Sequence, residues 1–365
     1  MSKDASLAFR LSRAERILVV APHWVGDAVM TLGLLQALKT QDSGRDAPHI
    51  SVLCSKGVAA VYRASPVVSE VIEAPFAHGG LQFNLRRQTA RLLKQRQTPF
   101  TTAYILPNSF KTALIPFWAG ILNRIGYGAE GRGLLLTKSW PKPSKAQKPA
   151  MLDWYGRLGN VAAGEVPMPV LLPVAQLPSA LKNASGEIPD FLAAAPGAEF
   201  GPAKRWPQAH FAATIAAYLA ADPLRQAVLL GGPKDVEVCS EIAQCLPEAQ
   251  RGRVKLLAGK TSLDEAITLI GKAQVMLTND SGLMHVAAAM NVPQQAVFGS
   301  SDPRHTPPLS QQADIHWLQL PCSPCFQRIC PLGHTQCLQN LTPERVIVSM
   351  NARLASSASS GKPNA

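Results

Sequence analysis

Four short segments combine carboxylate, hydroxyl, cationic and glycine residues at spacings that could do chemistry. The richest is Thr278-Asn279-Asp280-Ser281-Gly282-Leu283-Met284-His285, set between an apolar run and an alanine-rich helical pattern. Ser281 and Gly282 would open that helix, whose unpaired N–H groups and dipole favour an anion. Asp280 can accept hydrogen bonds from sugar hydroxyls. His285, one turn further, can face the same ligand, although a single helical histidine is more often structural. The second segment, 196–207 (PGAEFGPAKRWP), has two glycines that let backbone N–H groups approach an anion and a Lys204-Arg205 pair that adds charge. It suits a phosphate, and a long surface turn is its plainer reading. The third, Gly231-Gly232-Pro233-Lys234-Asp235, is common turn chemistry when taken alone. In the fourth, His23-Trp24-Val25-Gly26-Asp27, the carboxylate follows a strand and enters a helix. Asp27 is there either an N-cap or a general base.

These segments need elements to hold them. Apolar β-branched runs at 16–22, 50–54 and 103–106 read as strands; 28–39, 57–64 and 85–97 read as helices, the last basic and amphipathic. Residues 138–149, with four lysines and three prolines, read as a loop. Residues 173–190 lack a period and take the domain boundary. The rhythm then restarts. Strands are expected at 191–195, 227–230, 255–257, 275–278 and 295–298, alternating with helices at 208–221, 236–245, 263–272 and 282–290. A helix over 343–354 and a disordered end follow. The class is α/β, with two successive doubly wound domains. Domains are expected at 1–180 and 181–340, with a C-terminal helix and flexible tail over 341–365. In such sheets ligands bind beyond the carboxyl ends of the strands, which is where all four segments fall.

The net charge of +12 is unevenly placed. Residues 1–180 hold 21 Lys/Arg against 10 Asp/Glu, and residues 181–365 hold 15 against 14. An acidic partner for the first half is one explanation, and simple solubility is the other. A hydrophobic content of 47% excludes a wholly disordered chain. No apolar run approaches the ~20 residues of a membrane helix; 113–122 is ten residues and contains Pro116. No secretory signal is legible at the N-terminus, so a cytoplasmic protein is expected. The Gly-x-Gly-x-x-Gly fingerprint is missing, which disfavours a dehydrogenase. A nucleic-acid binder is disfavoured by the lack of an aromatic-rich basic motif. No Asp-x-Asp pair occurs, which argues against a sugar nucleotide clamped by a divalent cation.

Four of the seven cysteines cluster as Cys322-x2-Cys325-x4-Cys330-x6-Cys337, with His334 between the last two. Such a set can hold a structural zinc ion, at compressed spacing, or remain reduced thiols. Either way it is a stabilising element rather than a catalytic one.

Taken together, WVGDAVM (24–30), YILPNSFKTALIPFWAG (104–120), APGAEFGPAKRWP (195–207), LLGGPKD (229–235) and TNDSGLMHVAAA (278–289) resemble the ADP-heptose:lipopolysaccharide heptosyltransferases, over about residues 16–310. PNSFKTAL and PGAEFGPAKRWP are most similar to the heptosyltransferase II branch. The resemblance implies a GT-B fold, two Rossmann-like domains facing across a cleft. The first would bind a heptosyl-Kdo2-lipid A acceptor and the second ADP-heptose. Transfer would invert the anomeric centre, without cofactor or divalent cation. It assigns Asp27 as catalytic base, Lys204 to the donor phosphate, and Asp280, Ser281, Gly282 and His285 to the donor loop. Lys234 and Asp235 are the alternatives for a further donor contact. The basic first half then faces an anionic glycolipid at the cytoplasmic face of the inner membrane. Arg86, Arg87 and Lys111 are acceptor-binding candidates, with Arg91, Lys94, Arg96 and the lysines of 138–148 beside them. The competing assignments are heptosyltransferase I, another heptosyltransferase with a different acceptor, and a GT-B sugar-nucleotide epimerase.

Overall fold

The computed structural model describes residues 14–41, 46–75, 80–143, 149–182 and 185–359. Lys145, Lys148 and the end of the chain from Ser360 lie outside these. The chain divides into two compact units, Met1–Val170 and Leu171–Ala365.

The first unit has one six-stranded sheet in the order β3-β2-β1-β4-β5-β6. Its strands are β1 (Arg16–Val20), β2 (His49–Ser55), β3 (Glu70–Ala74), β4 (Thr102–Ile105), β5 (Asn123–Gly128) and β6 (Lys138–Pro141). Every pairing is parallel. Helices α1 (Val25–Thr40), α2 (Lys56–Arg63), α3 (Phe83–Lys94), α4 (Phe110–Trp118) and α5 (Met151–Leu158) make the crossovers and cover the sheet. Parallel strands covered on both faces read as unbroken apolar runs, as RILVV does. Helix α1 is buried at every position from Ala28 to Leu35, which is why its sequence is apolar nearly all round.

The second unit repeats this plan. Its sheet order is β12-β11-β10-β7-β8-β9, the same winding read from the opposite edge. The strands are β7 (Phe191–Ala195), β8 (Gln226–Leu229), β9 (Val254–Leu256), β10 (Val275–Asn279), β11 (Gln294–Val297) and β12 (Ala313–His316). The helices are α6 (Gln208–Ala220), α7 (Val236–Cys245), α8 (Glu248–Arg251), α9 (Leu263–Lys272), α10 (Gly282–Ala289), α11 (Gln336–Gln339) and α12 (Pro343–Ser359). Trp206, Phe211, Ile215, Tyr218, Val346 and Met350 belong to one buried cluster, so α12 is part of this core.

Three differences from the sequence expectation go beyond the shift of an element's end by a few residues. The units part at Val170/Leu171 rather than near residue 180. The intervening segment is tied to the second unit: the Leu171 N–H donates to the Ala289 carbonyl at 3.1 Å, and the Val174 and Ala175 N–H groups donate to Thr268 Oγ1. Lys138–Pro141, expected as loop, is the edge strand β6. An edge position accommodates both Lys and Pro because one side of the strand needs no ladder bonds. Helix α12 runs to Ser359 rather than stopping at Leu354. Among the described residues no helix is long and apolar enough to cross a membrane.

Candidate active site

In a 3-2-1-4-5-6 sheet the winding reverses between the first and fourth strands, and the crevice outside that point receives ligands. In the second unit these strands are β7 and β10, which pair in register through Thr278 and Ala195. The loops that leave them are 196–207 and 280–281, and Asn279, the last residue of β10, stands between them. They are bolted together. Asn279 Nδ2 donates to the Pro196 carbonyl at 2.6 Å, and the Trp206 N–H donates to Asn279 Oδ1 at 3.0 Å. Trp206 is buried, and its indole N–H donates to the Leu341 carbonyl at 2.8 Å. Lys204 Nζ then lies 2.5 Å from Asp280 Oδ2, and Ser301 Oγ donates to the same oxygen. Phe200 lies beneath the Lys204 ammonium, its ring centre 5.1 Å from Nζ.

Ser281 is the N-cap of α10, in extended conformation, and no side-chain bond closes that first turn. Its hydroxyl lies 3.2 Å from Thr278 Oγ1 instead. His285 is buried, and its Nδ1 makes no hydrogen bond. Burial pushes its pKa down to about 4; nearby Asp280 opposes the fall and Lys204 adds to it. The ring is neutral at physiological pH, a shape-filling or hydrogen-bonding group rather than a cation. The sequence thus brings Lys204, Asp280, Ser281, Gly282 and His285 to one place. It gave no sign of Ser301, which arrives from the loop after β11, or of Asn279 as the clamp.

Lys234 and Asp235 sit beside this group at the end of β8. Lys234 Nζ is 2.8 Å from Glu199 Oε1 in an exposed pair. Asp235 Oδ2 accepts the Gly232 N–H at 2.9 Å. A Cβ on Gly197 would stand 2.3 Å from Asp235 Oδ1, and one on Gly231 would stand 2.6 Å from Asp235 Cβ. Both glycines are therefore needed for the carboxylate to sit between the two loops.

In the first unit the corresponding strands are β1 and β4. Asp27 lies in the first turn of α1, half-buried. The N-cap is Trp24, so Asp27 stands at the third helical position and is not itself the N-cap residue. Its charge reaches the hydroxyls of Tyr62 and Tyr155, whose pKa values lie well above the usual range, chiefly through burial. Tyr62 Oη is hydrogen-bonded to Thr31 Oγ1 at 3.1 Å. On the β4 side, the Pro107-Asn108-Ser109 turn is held by Arg132, which is wholly buried. Its guanidinium donates to the carbonyls of Tyr127 and Pro107 and to Asn108 Oδ1 and Thr112 Oγ1. Burial lowers its pKa to about 10. Glu130 Oε2 accepts the Phe110 N–H at 3.0 Å and fixes the start of α4. Neither brace was legible from residue type or spacing.

The expected acceptor residues divide. Arg86 is buried, donating to the Leu81 and Lys111 carbonyls, and so braces α3 against α4 rather than facing solvent. Arg96 is paired through both its terminal nitrogens with Glu70. Lys138 bonds Asn160 Oδ1. Arg87, Arg91 and Lys94 are exposed, at spacings that place them along one face of α3. Lys111 Nζ, half-exposed, reaches the Gly80 carbonyl at 3.3 Å.

The four clustered cysteines are free thiols that line one small cavity with Ala203 and Ser300. Among the described residues no group of three or more His, Cys, Asp or Glu is placed to hold a metal ion. Backbone N–H groups of Thr335, Leu332, Gly333 and His334 hold the Cys330 thiol below its ordinary pKa.

Residues 86–336 match the family model for glycosyltransferase family 9 (heptosyltransferase). The chain is 37% identical to lipopolysaccharide heptosyltransferase 2 of Escherichia coli K12, over 93% of this chain and 98% of that protein. It is likewise 37% identical to lipooligosaccharide heptosyltransferase 2 of Haemophilus influenzae, over 93% and 99%. The solved structure of E. coli ADP-heptose lps heptosyltransferase II superposes with a TM-score of 0.75 at 34% identity, covering 94% of this chain and 99% of that one. The E. coli heptosyltransferase WaaC with ADP shares the fold, with a TM-score of 0.66 at 17% identity over 93% and 99%. With a pair of Rossmann-wound units and these relatives, the chain belongs to glycosyltransferase family 9, the heptosyltransferases.

Proposed function

We propose that this enzyme moves heptose from ADP-heptose onto a heptosyl-Kdo2-lipid A acceptor, with inversion, in inner-core lipopolysaccharide biosynthesis. The observation that carries the donor assignment is the Lys204–Asp280 group at the switch point of the second unit, at 2.5 Å. A cation held by a carboxylate beside an uncapped helix start suits a leaving diphosphate. Asp27 takes the proton from the acceptor hydroxyl as its oxygen attacks the anomeric carbon. The anomeric C–O bond breaks and its electrons leave with ADP. Charge builds on the β-phosphate, and Lys204 and the α10 amides meet it there. The transition state has oxocarbenium character, by analogy with glycoside hydrolysis. The sequence has no Asp-x-Asp pair, so the reaction is expected to run without a divalent cation. The Arg87-Arg91-Lys94 face of α3 is the place for the anionic glycolipid and the cytoplasmic face of the inner membrane around it.

The test is ADP release from ADP-heptose in EDTA, comparing acceptors with and without the first heptose. Release only with the monoheptosylated acceptor supports the proposal. Release with the unheptosylated acceptor would make this a heptosyltransferase I. No release with either would remove the activity.

A further inference from the structure

We propose that Arg328 is a second cation for the diphosphate of the sugar-nucleotide donor, delivered to the Lys204 loop by the cysteine-rich segment. The inference rests on the donor site proposed above and deepens it.

The argument begins with charge. Lys204 shares its charge with the buried Asp280, so a diphosphate, which carries more than one negative charge, calls for a further cation beside it. Arg328 supplies what is missing. It is exposed and makes no ion pair among the described residues. Its guanidinium carbon lies 5.4 Å from the centre of the Phe200 ring, the ring that also carries Lys204 Nζ at 5.1 Å. The ring's quadrupole attracts each cation, so Phe200 is a shared seat for both side chains. A guanidinium fork matches two phosphate oxygens in a way an ammonium cannot.

The backbone shows that this placement is built. The Arg328 carbonyl accepts the Ala203 N–H at 3.1 Å, next to Lys204. Gly201 has φ +149, and a Cβ there would stand 2.5 Å from that carbonyl oxygen, so only glycine permits the approach. From the same segment, the Phe326 N–H donates to the Ser300 carbonyl at 2.7 Å, adjacent to the Ser301 that bonds Asp280. Arg328 is thus anchored on both sides of the Lys204–Asp280 pair. During transfer it stabilises charge on the β-phosphate as the anomeric C–O bond breaks and ADP departs with the electron pair.

The experiment is calorimetric titration of ADP and AMP, in EDTA, into the full chain and its Arg328→Gln and Arg328→Lys variants. Arg328→Gln should weaken ADP about 10- to 100-fold, the worth of a charged hydrogen-bonded contact. AMP, which lacks the β-phosphate, should change far less, and Arg328→Lys should recover part of the loss. The melting temperature should not move. An unchanged ADP affinity would overturn the assignment, as would equal weakening of ADP and AMP, which would make the residue a brace for the loop. Failure of the unmodified enzyme to bind either nucleotide would overturn the donor site itself, and Arg328 with it.

Discussion

Asp27 is separated from every donor-side residue in the sequence, and its role is therefore separable by mutation. Asp27→Asn keeps the shape and removes the base. The turnover number is expected to fall about 10²- to 10⁴-fold, while ADP affinity measured by calorimetry stays within about twofold. Equal losses in both would assign Asp27 to folding. The buried histidines make a second residue-scale prediction. His285 and His316 are both held at about 4, chiefly by burial. His316 Nε2–H donates to Gln295 Oε1 at 2.7 Å. Both groups titrate near 6.5 when unfolded, so the unfolded chain binds more protons between those values. Their contribution is complete above pH ~6.5 and is lost as the pH falls towards ~4, by up to ~3 kcal/mol each. Urea midpoints at pH 7 and 4.5 measure this, and His316→Gln should flatten the difference. The clustering of Lys204 with Asp280, Ser281 and Gly282 was legible because Asp-Ser-Gly at a helix start and a lysine in a glycine-containing loop both suit an anion. Ser301 and Arg328 were not, because each acts through a long-range contact that no local spacing encodes.

At the scale of elements, legibility followed burial. Strands such as FLAAA and helices such as α7 and α9 stood out by period and composition, and their observed ranges match the expected ones within a residue or two. Strands β3, β5, β6 and β12 did not; β5, with Asn, Arg and two glycines in six residues, carries no apolar run. β3 and β12 are largely half-exposed and β6 mostly exposed, so each lacks the continuous apolar run of an interior parallel strand. Helix α4 hid behind Pro116, which an isolated reading takes as a breaker. Packing between α1 and α5 can be tested with a single added atom. A Cβ on Gly33 would meet Leu152 Cδ1 at 2.5 Å and the Pro167 carbonyl at 2.6 Å. Gly33→Ala should cost about 1–3 kcal/mol by overpacking, despite alanine's better helix propensity. A rise in thermal stability would mean that the two helices separate at little cost.

For the whole molecule, the dominant feature is an excess of basic residues in the half proposed to meet the glycolipid. Binding to vesicles containing anionic lipid should fall steeply between low and physiological salt, and should be weak on neutral vesicles. Charge reversal at Arg87 and Arg91 together should abolish it while leaving ADP affinity intact. Binding that ignores salt and those two arginines would place the contact elsewhere. The cysteine segment has another kind of consequence, which concerns how this enzyme survives handling. Arg328 stands between Cys325 and Cys330, and Cys330 is the thiol that backbone N–H groups make more acidic. A more acidic thiol is more ionised at neutral pH and more open to alkylation. Iodoacetamide should therefore inactivate the enzyme without touching Asp27 or Lys204, and ADP should slow it. Mass spectrometry would locate the adduct at Cys330. A preparation stored without reductant would lose donor affinity while its fold, read by circular dichroism, stayed the same.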